Sequence, residues 1–327
     1  MMKRATTVVM VLALLVFGMS SVGQTQAYKL SLGHGAMEGH QTHLGSLRLA
    51  KLVKERSNGR LEIQVFPNRQ LGEERVMVEG LQLGTVDITV VSTGPLGGFV
   101  PMINVVDLPF LFNDAVHAYS VLDGPIGQEL LDKFSAIGIV GAAFWENGWR
   151  HLTTKRPVRT PADLKGMKIR TMENKIHIAT FKALGASPIP MVWGEVYTSL
   201  QQGVIDGQEN PITIIYTNAL WEVQKYVQLT GHFYGPHLVL ISKITLERLP
   251  KDLQSLLISA AREVAPYQRA MSAKLEKEQL ELLRQKGMEI LEVDREAFRK
   301  ATAGVYSEFE GLFGRTLIDR ILAAGGR

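Results

Sequence analysis

The chain has 327 residues, carries 36 lysines and arginines against 32 aspartates and glutamates, and contains no cysteine. That length exceeds one average domain and predicts two, each large enough to bury its own core. The absent thiols exclude disulfides, cysteine nucleophiles and cysteine-ligated zinc or iron–sulfur sites, while the well-mixed charge, without a basic stripe or polybasic cluster, points away from nucleic acid and membrane surfaces as partners.

Residues 1–27 read as a secretory signal peptide: Lys3 and Arg4 make a basic start, Val8 to Phe17 an apolar core, and Thr25-Gln26-Ala27 a small-residue cleavage site. A membrane anchor needs about 20 apolar residues, and Ser20, Ser21, Gln24 and Gln26 follow this shorter run at once. The mature chain is therefore expected to start near Tyr28 with no membrane anchor of its own, and without a cysteine it cannot carry a lipid there.

Tyr28 to Leu32 alternates as a short strand and breaks at Gly33-His34-Gly35; Glu38 to Arg56 then has helical spacing, with Leu49, Leu52 and Val53 on one face. Leu61 to Phe66 predicts a second strand, Glu73 to Leu83 a helix stopped by Gly84, and Val86 to Val91 a nearly continuous apolar strand of the buried parallel type. Strand, helix, strand, helix, strand is an α/β start. Ile139 to Trp145 predicts another buried strand, and a second unit follows: a strand at Met167 to Thr171, a helix at Lys175 to Leu184 and a helix at Glu195 to Gln202. Leu249 to Lys286 keeps long helical periodicity, with Pro266 expected to kink or split it. Met288 to Val293 predicts a late strand, and Asp294 to Phe313 a helix.

Few constellations carry chemistry. No nucleophile elbow, zinc-protease helix or phosphate loop is present. Gly33-x-Gly35-x-x-x-Gly39 is out of register for a dinucleotide fingerprint and reads better as a loop whose backbone approaches a small ligand. His34, His40 and His43 invite a metal, but no neighbouring carboxylate pair completes a set, and solvated surface histidines are the expectation. Arg150 and Arg170 each close a predicted strand, where α/β sheets present ligand-contacting groups; a guanidinium there either forks onto a carboxylate or makes a surface salt bridge to Glu173 or Asp163. Trp193 either walls a pocket or fills a core. Asn210, in the stretch GVIDGQENP, precedes Pro211 and so must hold its amide from an extended segment.

The segments KGMKIR (165–170), LGASPIPMVWGEVYTSLQQGVIDGQENP (184–211) and QLGEERVMVEGLQLGTVDI (70–88) together resemble one family. The chain is similar, from near Tyr28 to its C-terminus, to the extracytoplasmic solute-binding proteins of TRAP (tripartite ATP-independent periplasmic) transporters, of the DctP type. The resemblance implies an α/β, two-domain periplasmic binding protein fold with crossing hinge strands and a long domain-spanning helix. The implied division is 28–147 plus 236–275 for domain I and 148–235 plus 276–327 for domain II. It also implies a periplasmic monomer that captures a small-molecule carboxylate and delivers it to the small and large membrane subunits of a TRAP permease, with no cofactor, no metal and no catalysis.

Arg170 falls on the family's ligand-carboxylate arginine, Asn210 on the asparagine bonding the same carboxylate, Arg150 on a second basic residue of the cleft, and Trp193 on its aromatic wall. Ser92 stands where sialic-acid binders carry an acid, and Gly35 where they carry asparagine, which argues against sialic acid and leaves no acidic group expected opposite the arginines. His34, His232, Trp145 and Tyr234 are further candidates for the lining, whereas Glu209, Gln208 and Asp206 are expected to serve hinge backbone groups. A dicarboxylate or small hydroxy acid is favoured as ligand, with sugar, keto and aryl acids open. The competing readings are a secreted enzyme using His232 or His237 as base, and a binding protein for an ATP-driven importer or sensor kinase.

Overall fold

The computed structural model describes residues 27–326, so the expected signal peptide lies outside the described residues save for Ala27. The strands are β1 (Tyr28–His34), β2 (Leu61–Phe66), β3 (Ile88–Ser92), β4 (Ile139–Thr154), β5 (Lys168–Thr171), β6 (Ser187–Pro190), β7 (Gly207–Pro211), β8 (Tyr226–Ser242) and β9 (Glu289–Leu291). Between them run α1 (Gln41–Arg56), α2 (Glu74–Leu83), α3 (Ala115–Leu122), α4 (Pro125–Asp132), α5 (Lys175–Ala183), α6 (Val196–Gln201), α7 (Ile212–Thr217), α8 (Lys243–Arg248) and α9 (Lys251–Gln285). The chain closes with α10 (Arg295–Thr302), α11 (Gly304–Phe313) and α12 (Arg315–Ala324).

The strands form one sheet in the order β2-β1-β3-β8-β4-β7-β5-β6, with β9 beside β8. Each end is parallel, β1 with β2 and β3, and β5 with β6 and β7, as short α/β crossovers require. The centre is antiparallel: β4 and β8 pair over nearly their whole lengths and carry the chain across from one end to the other. Where they cross, β4 bulges between Glu146 and Gly148, and Gly148 sits at φ +128°, a conformation that side chains other than glycine resist. Gly207 in β7 answers a different need, because a Cβ there would stand 2.3 Å from the Thr153 carbonyl oxygen.

The local readings of β1, β2, α1, α2, β5 and α5 match the structure within a few residues. β3 is parallel to β1 as expected but antiparallel to β8 on its other side. β4 continues nine residues past the predicted end at Trp145, and β8, with Gly231, Gly235 and Pro236 inside it, carries no alternation that marks a strand. Neighbouring strands on both sides supply the pairing that local propensity lacks. α9 passes Pro266 unbroken, its buried stripe of Leu253, Leu257, Ala260, Ala261, Val264 and Ala265 packing on α1 and β4. The predicted Asp294–Phe313 helix is two helices that meet at Ala303.

Several apolar clusters support the two ends, and the one containing Met77 and Phe144 also reaches Ile176 and Ala179 of α5. At the β1–β3 end, Leu32, Leu49, Val53, Trp145 and Leu257 pack on one face and Met77, Leu81, Phe134 and Phe144 on the other. At the β5–β6 end, Ile169, Phe181 and Phe298 form one cluster, and Val196, Leu200, Ile212 and Leu283 another. Among the described residues no helix is long and apolar enough to cross a membrane.

Candidate functional site

A cleft with about 760 Å³ of empty space, its mouth included, opens where the two ends of the sheet face each other across the crossing strands. Gly35, Ala36, Arg69, Glu73, Glu74 and Ser92 border it from the β1–β3 end; Asn147, Arg150, Asn210 and His237 from the crossing strands; Arg170, Met172, Glu173, Met191, Val192 and Trp193 from the β5–β6 end.

Arg170 is buried at the end of β5, where its Nε and Nη2 both donate to the Met191 carbonyl at 2.9 and 2.6 Å, and its guanidinium lies 5.5 Å from the centre of the Trp193 ring. Burial lowers its pKa to about 10, against the opposing pull of Glu209, so the group remains charged at neutral pH. It makes no ion pair with Glu173 or Asp163; Asp163 instead accepts from the Arg159 and Thr160 backbone N–H groups, at 2.9 Å each. Trp193 lines the cleft on one side and packs against the Val196–Leu200–Ile212 cluster on the other.

Arg150 is also buried, but its charge is met inside the protein. Its Nε and Nη2 fork onto the Glu209 carboxylate at 2.5 and 2.8 Å, and Nη2 reaches the Glu209 carbonyl at 2.7 Å. Glu209 therefore does not serve hinge backbone groups in the expected way. Burial would raise its pKa, but Arg150, with His177 and His232 behind it, holds it well below the carboxylate range. Asp206 does serve backbone, accepting from the Lys168 N–H at 2.8 Å, whereas Gln208 bonds Thr153 Oγ1 and accepts the Asn210 amide N–H at 2.6 Å. Asn210 occupies the end of β7, extended ahead of Pro211.

Opposite the arginines, the expectation of a wall without acids is corrected. Ser92 gives both its backbone N–H (2.8 Å) and its Oγ (2.5 Å) to Glu74, so a carboxylate stands beside Ser92 after all, brought by the start of α2. Burial raises the pKa of Glu74, moderated by the Ser92 hydrogen bonds and by Arg170. Gly35 leaves open space above its backbone, with only the Arg69 stem within 4 Å of where a Cβ would sit.

Four candidates stand outside the walls. Trp145 is fully buried in the core with its indole N–H on the Ala261 carbonyl at 2.9 Å. Tyr234 is buried among Phe112, Tyr119 and Trp149, its hydroxyl donating to Glu146 at 2.9 Å. His232 sits behind the Arg150–Glu209 pair, 3.3 Å from Glu209. His34 is buried against His43, with ring nitrogens 3.1 Å apart. His40 and His43 are buried too, against the expectation of solvated surface groups: His40 joins Thr213 Oγ1 at 3.0 Å and caps α1. Among the described residues no three His, Cys, Asp or Glu side chains converge closely enough to hold a metal ion.

Besides Glu74, two lining residues that escaped the sequence reading carry unpaired polar atoms. Arg69 Nη1 and Asn147 Oδ1 are both buried without a hydrogen-bond partner. Arg69 adopts φ +61°, which an arginine rarely does, and Asn147 stands on the β4 bulge. The segments PNRQLG and ENGWR contain these residues, but nothing local distinguishes them from turn residues.

The fold is shared with known proteins. Residues 32–312 match the family model described as bacterial extracellular solute-binding protein, family 7, also called DctP. The chain belongs to this family. A solute-binding protein of Verminephrobacter eiseniae is 46% identical over 84% of this chain and 83% of its own. The 2,3-diketo-L-gulonate-binding periplasmic protein of Escherichia coli is 37% identical over 92% and 91%. Among solved structures, a TRAP periplasmic solute-binding protein from Bordetella, with density interpreted as pantoate, superposes with a TM-score of 0.89 at 44% identity over 91% of this chain and 99% of that one. One from Polaromonas bound to D-erythronate gives 0.88 at 41% over 90% and 98%. As a DctP protein the chain is a two-domain TRAP solute-binding protein, a class whose task is binding, and family membership implies a permease as its partner.

Proposed function

We propose that the cleft captures a small monocarboxylate carrying hydroxyl or keto oxygens. One observation carries this reading: Arg170 is buried and charged with a carbonyl oxygen as its hydrogen-bond partner and no carboxylate in direct contact, whereas Arg150 is forked directly onto Glu209. A buried cation with no carboxylate in contact, its charge offset only at a distance by Glu209, Glu74 and Glu173, leaves room for one anion. The ligand carboxylate meets Arg170 and the Asn210 amide beside Trp193, and its remaining oxygens meet Arg69 Nη1, Asn147 Oδ1 and Glu74. Pantoate and erythronate, found in two similar proteins, have this composition, and so does the E. coli relative's diketogulonate. The reading narrows the dicarboxylate alternative, although a relative from Sulfurospirillum holds succinate.

The β4 bulge at Glu146/Gly148 and the facing Gly235–Pro236 support a hinge at the 147/148 and 235/236 boundaries between the two domains. The protein acts as a periplasmic monomer after signal removal, hands its ligand to the small and large permease subunits, and performs no chemistry on it. Calorimetric titration with erythronate, pantoate, galactonate and succinate tests the proposal. Micromolar binding, about −8 kcal/mol, is expected for a hydroxy monocarboxylate. Tightest binding of succinate refutes the single-anion reading, and binding of a neutral sugar or an amine with no carboxylate bound refutes the carboxylate reading.

A further inference from the structure

The cleft has opposite polarity on its two sides. Arg170 stands on one with no carboxylate in contact, and Glu74 on the other with no cation in contact among the described residues, each feeling the other's charge across the space between them. Both Glu74 oxygens take a Ser92 donor, Oε1 the backbone N–H at 2.8 Å and Oε2 the Oγ–H at 2.5 Å. A carboxylate has about four lone-pair sites, so about two of them are left to accept from the cleft.

The same wall carries a donor without an acceptor. Arg69 stands just ahead of α2, its Nε 3.4 Å from Glu73, its stem beside Gly35, and its Nη1 buried without a hydrogen-bond partner. Glu73 thus engages one edge of the guanidinium and leaves another. A group that only accepts and a group that only donates set a condition on what faces them, and a hydroxyl meets it, because it donates to Glu74 and accepts from Arg69. A keto oxygen cannot donate and stands against a carboxylate. An ammonium cannot accept and stands against a guanidinium, and a second carboxylate stands against Glu74 with Glu73 beside it.

We propose that Glu74 and Arg69 determine the specificity of the cleft, selecting a hydroxylated monocarboxylate over keto acids, dicarboxylates and amino acids. The proposal rests on the carboxylate reading of Arg170 and narrows it: of the hydroxyl and keto oxygens that reading allows, the hydroxyl satisfies the far wall.

Four-carbon acids that share a carboxylate and differ in the rest of the chain separate these cases: D-erythronate, 2-oxobutyrate, 4-aminobutyrate and succinate. In calorimetric titrations of the purified wild-type protein, D-erythronate should bind at least about tenfold tighter than each of the others. Glu74→Gln keeps the side chain's size and an acceptor for the Ser92 N–H but gives up the charge. It should weaken D-erythronate about tenfold and tighten succinate, with a thermal melt to show that the variant is folded. Wild-type affinity for 2-oxobutyrate or 4-aminobutyrate within about threefold of that for D-erythronate overturns the proposal and leaves the carboxylate reading in place. Tightest binding of succinate, or binding of none of the four, overturns both. Glu74→Gln with unchanged affinity for D-erythronate, or with D-erythronate and succinate weakened alike, makes Glu74 a partner of Ser92 alone and overturns the selectivity.

Discussion

Replacing Arg170 by lysine keeps the charge and removes the geometry. In the native cleft two guanidinium nitrogens are tied to the Met191 carbonyl, and Nη1 has no partner among the described residues, so the fork is held rigid with the N–H groups of Nη1 left for a ligand. The planar group also lies near the Trp193 ring. A lysine ammonium either bonds Met191 and turns from the ligand or reaches the ligand and leaves Met191 unsatisfied; it is more strongly hydrated, so its burial is less favourable as well. Losing one charge-assisted hydrogen bond costs about 1.5–3 kcal/mol, and weakened stacking on the tryptophan adds about 0.5–1 kcal/mol. The expected total of about 2–4 kcal/mol corresponds to a dissociation constant roughly 30- to 1,000-fold higher. Calorimetry with the tightest carboxylate, alongside a thermal melt to show that the variant is folded, measures this directly. A dissociation constant within about threefold of wild type would remove Arg170 from the ligand contacts and undo the single-anion argument.

Three further outcomes follow from the same geometry. Asn210→Ala should weaken carboxylate binding by about 1–3 kcal/mol through the lost amide, and an unchanged calorimetric affinity would make Asn210 a partner of Gln208 alone. Glu209→Gln leaves the fully buried Arg150 charge without its counter-ion and should cost about 3–5 kcal/mol of folding stability; a urea midpoint equal to wild type would refute the neutralising role. His34 and His237 have pKa values lowered by burial from 6.5 to about 3, so the unfolded chain binds more protons than the folded one between those limits. Their contribution is fully present above pH 6.5 and is lost as pH falls, at about 1.4 kcal/mol per pH unit for each group; His34→Gln should reduce the acid slope of urea-derived stability by about that amount, and an unaltered slope would refute it.

The parts of the fold legible in the sequence are those whose physics is local. Apolar alternation and glycine stops marked β1, β2, α1 and α2, and Pro211 alone required an extended Asn210. Arg170 was legible because a short strand ends beside it. β8 was not, since its glycines and proline deny it a strand's pattern and only pairing with β3 and β4 makes it one. Arg150 looked like a second free cation because its partner is 59 residues away, on the strand that β4 meets only after folding. The histidines looked solvated for the same reason: nothing near His40 in sequence announces Thr213 as its neighbour, or that the start of α1 packs against α7 and the crossing strands. Trp145 and Tyr234 took core places because the register of β4 and β8 aims them at α9 and Glu146 rather than into the cleft. By itself the sequence determined local elements such as β1, β2, α1 and α2, and the arginine and asparagine at their strand ends. The tertiary structure decided which charges are already paired, and so which remain for a ligand, because ion pairing depends on distance through space and not along the chain.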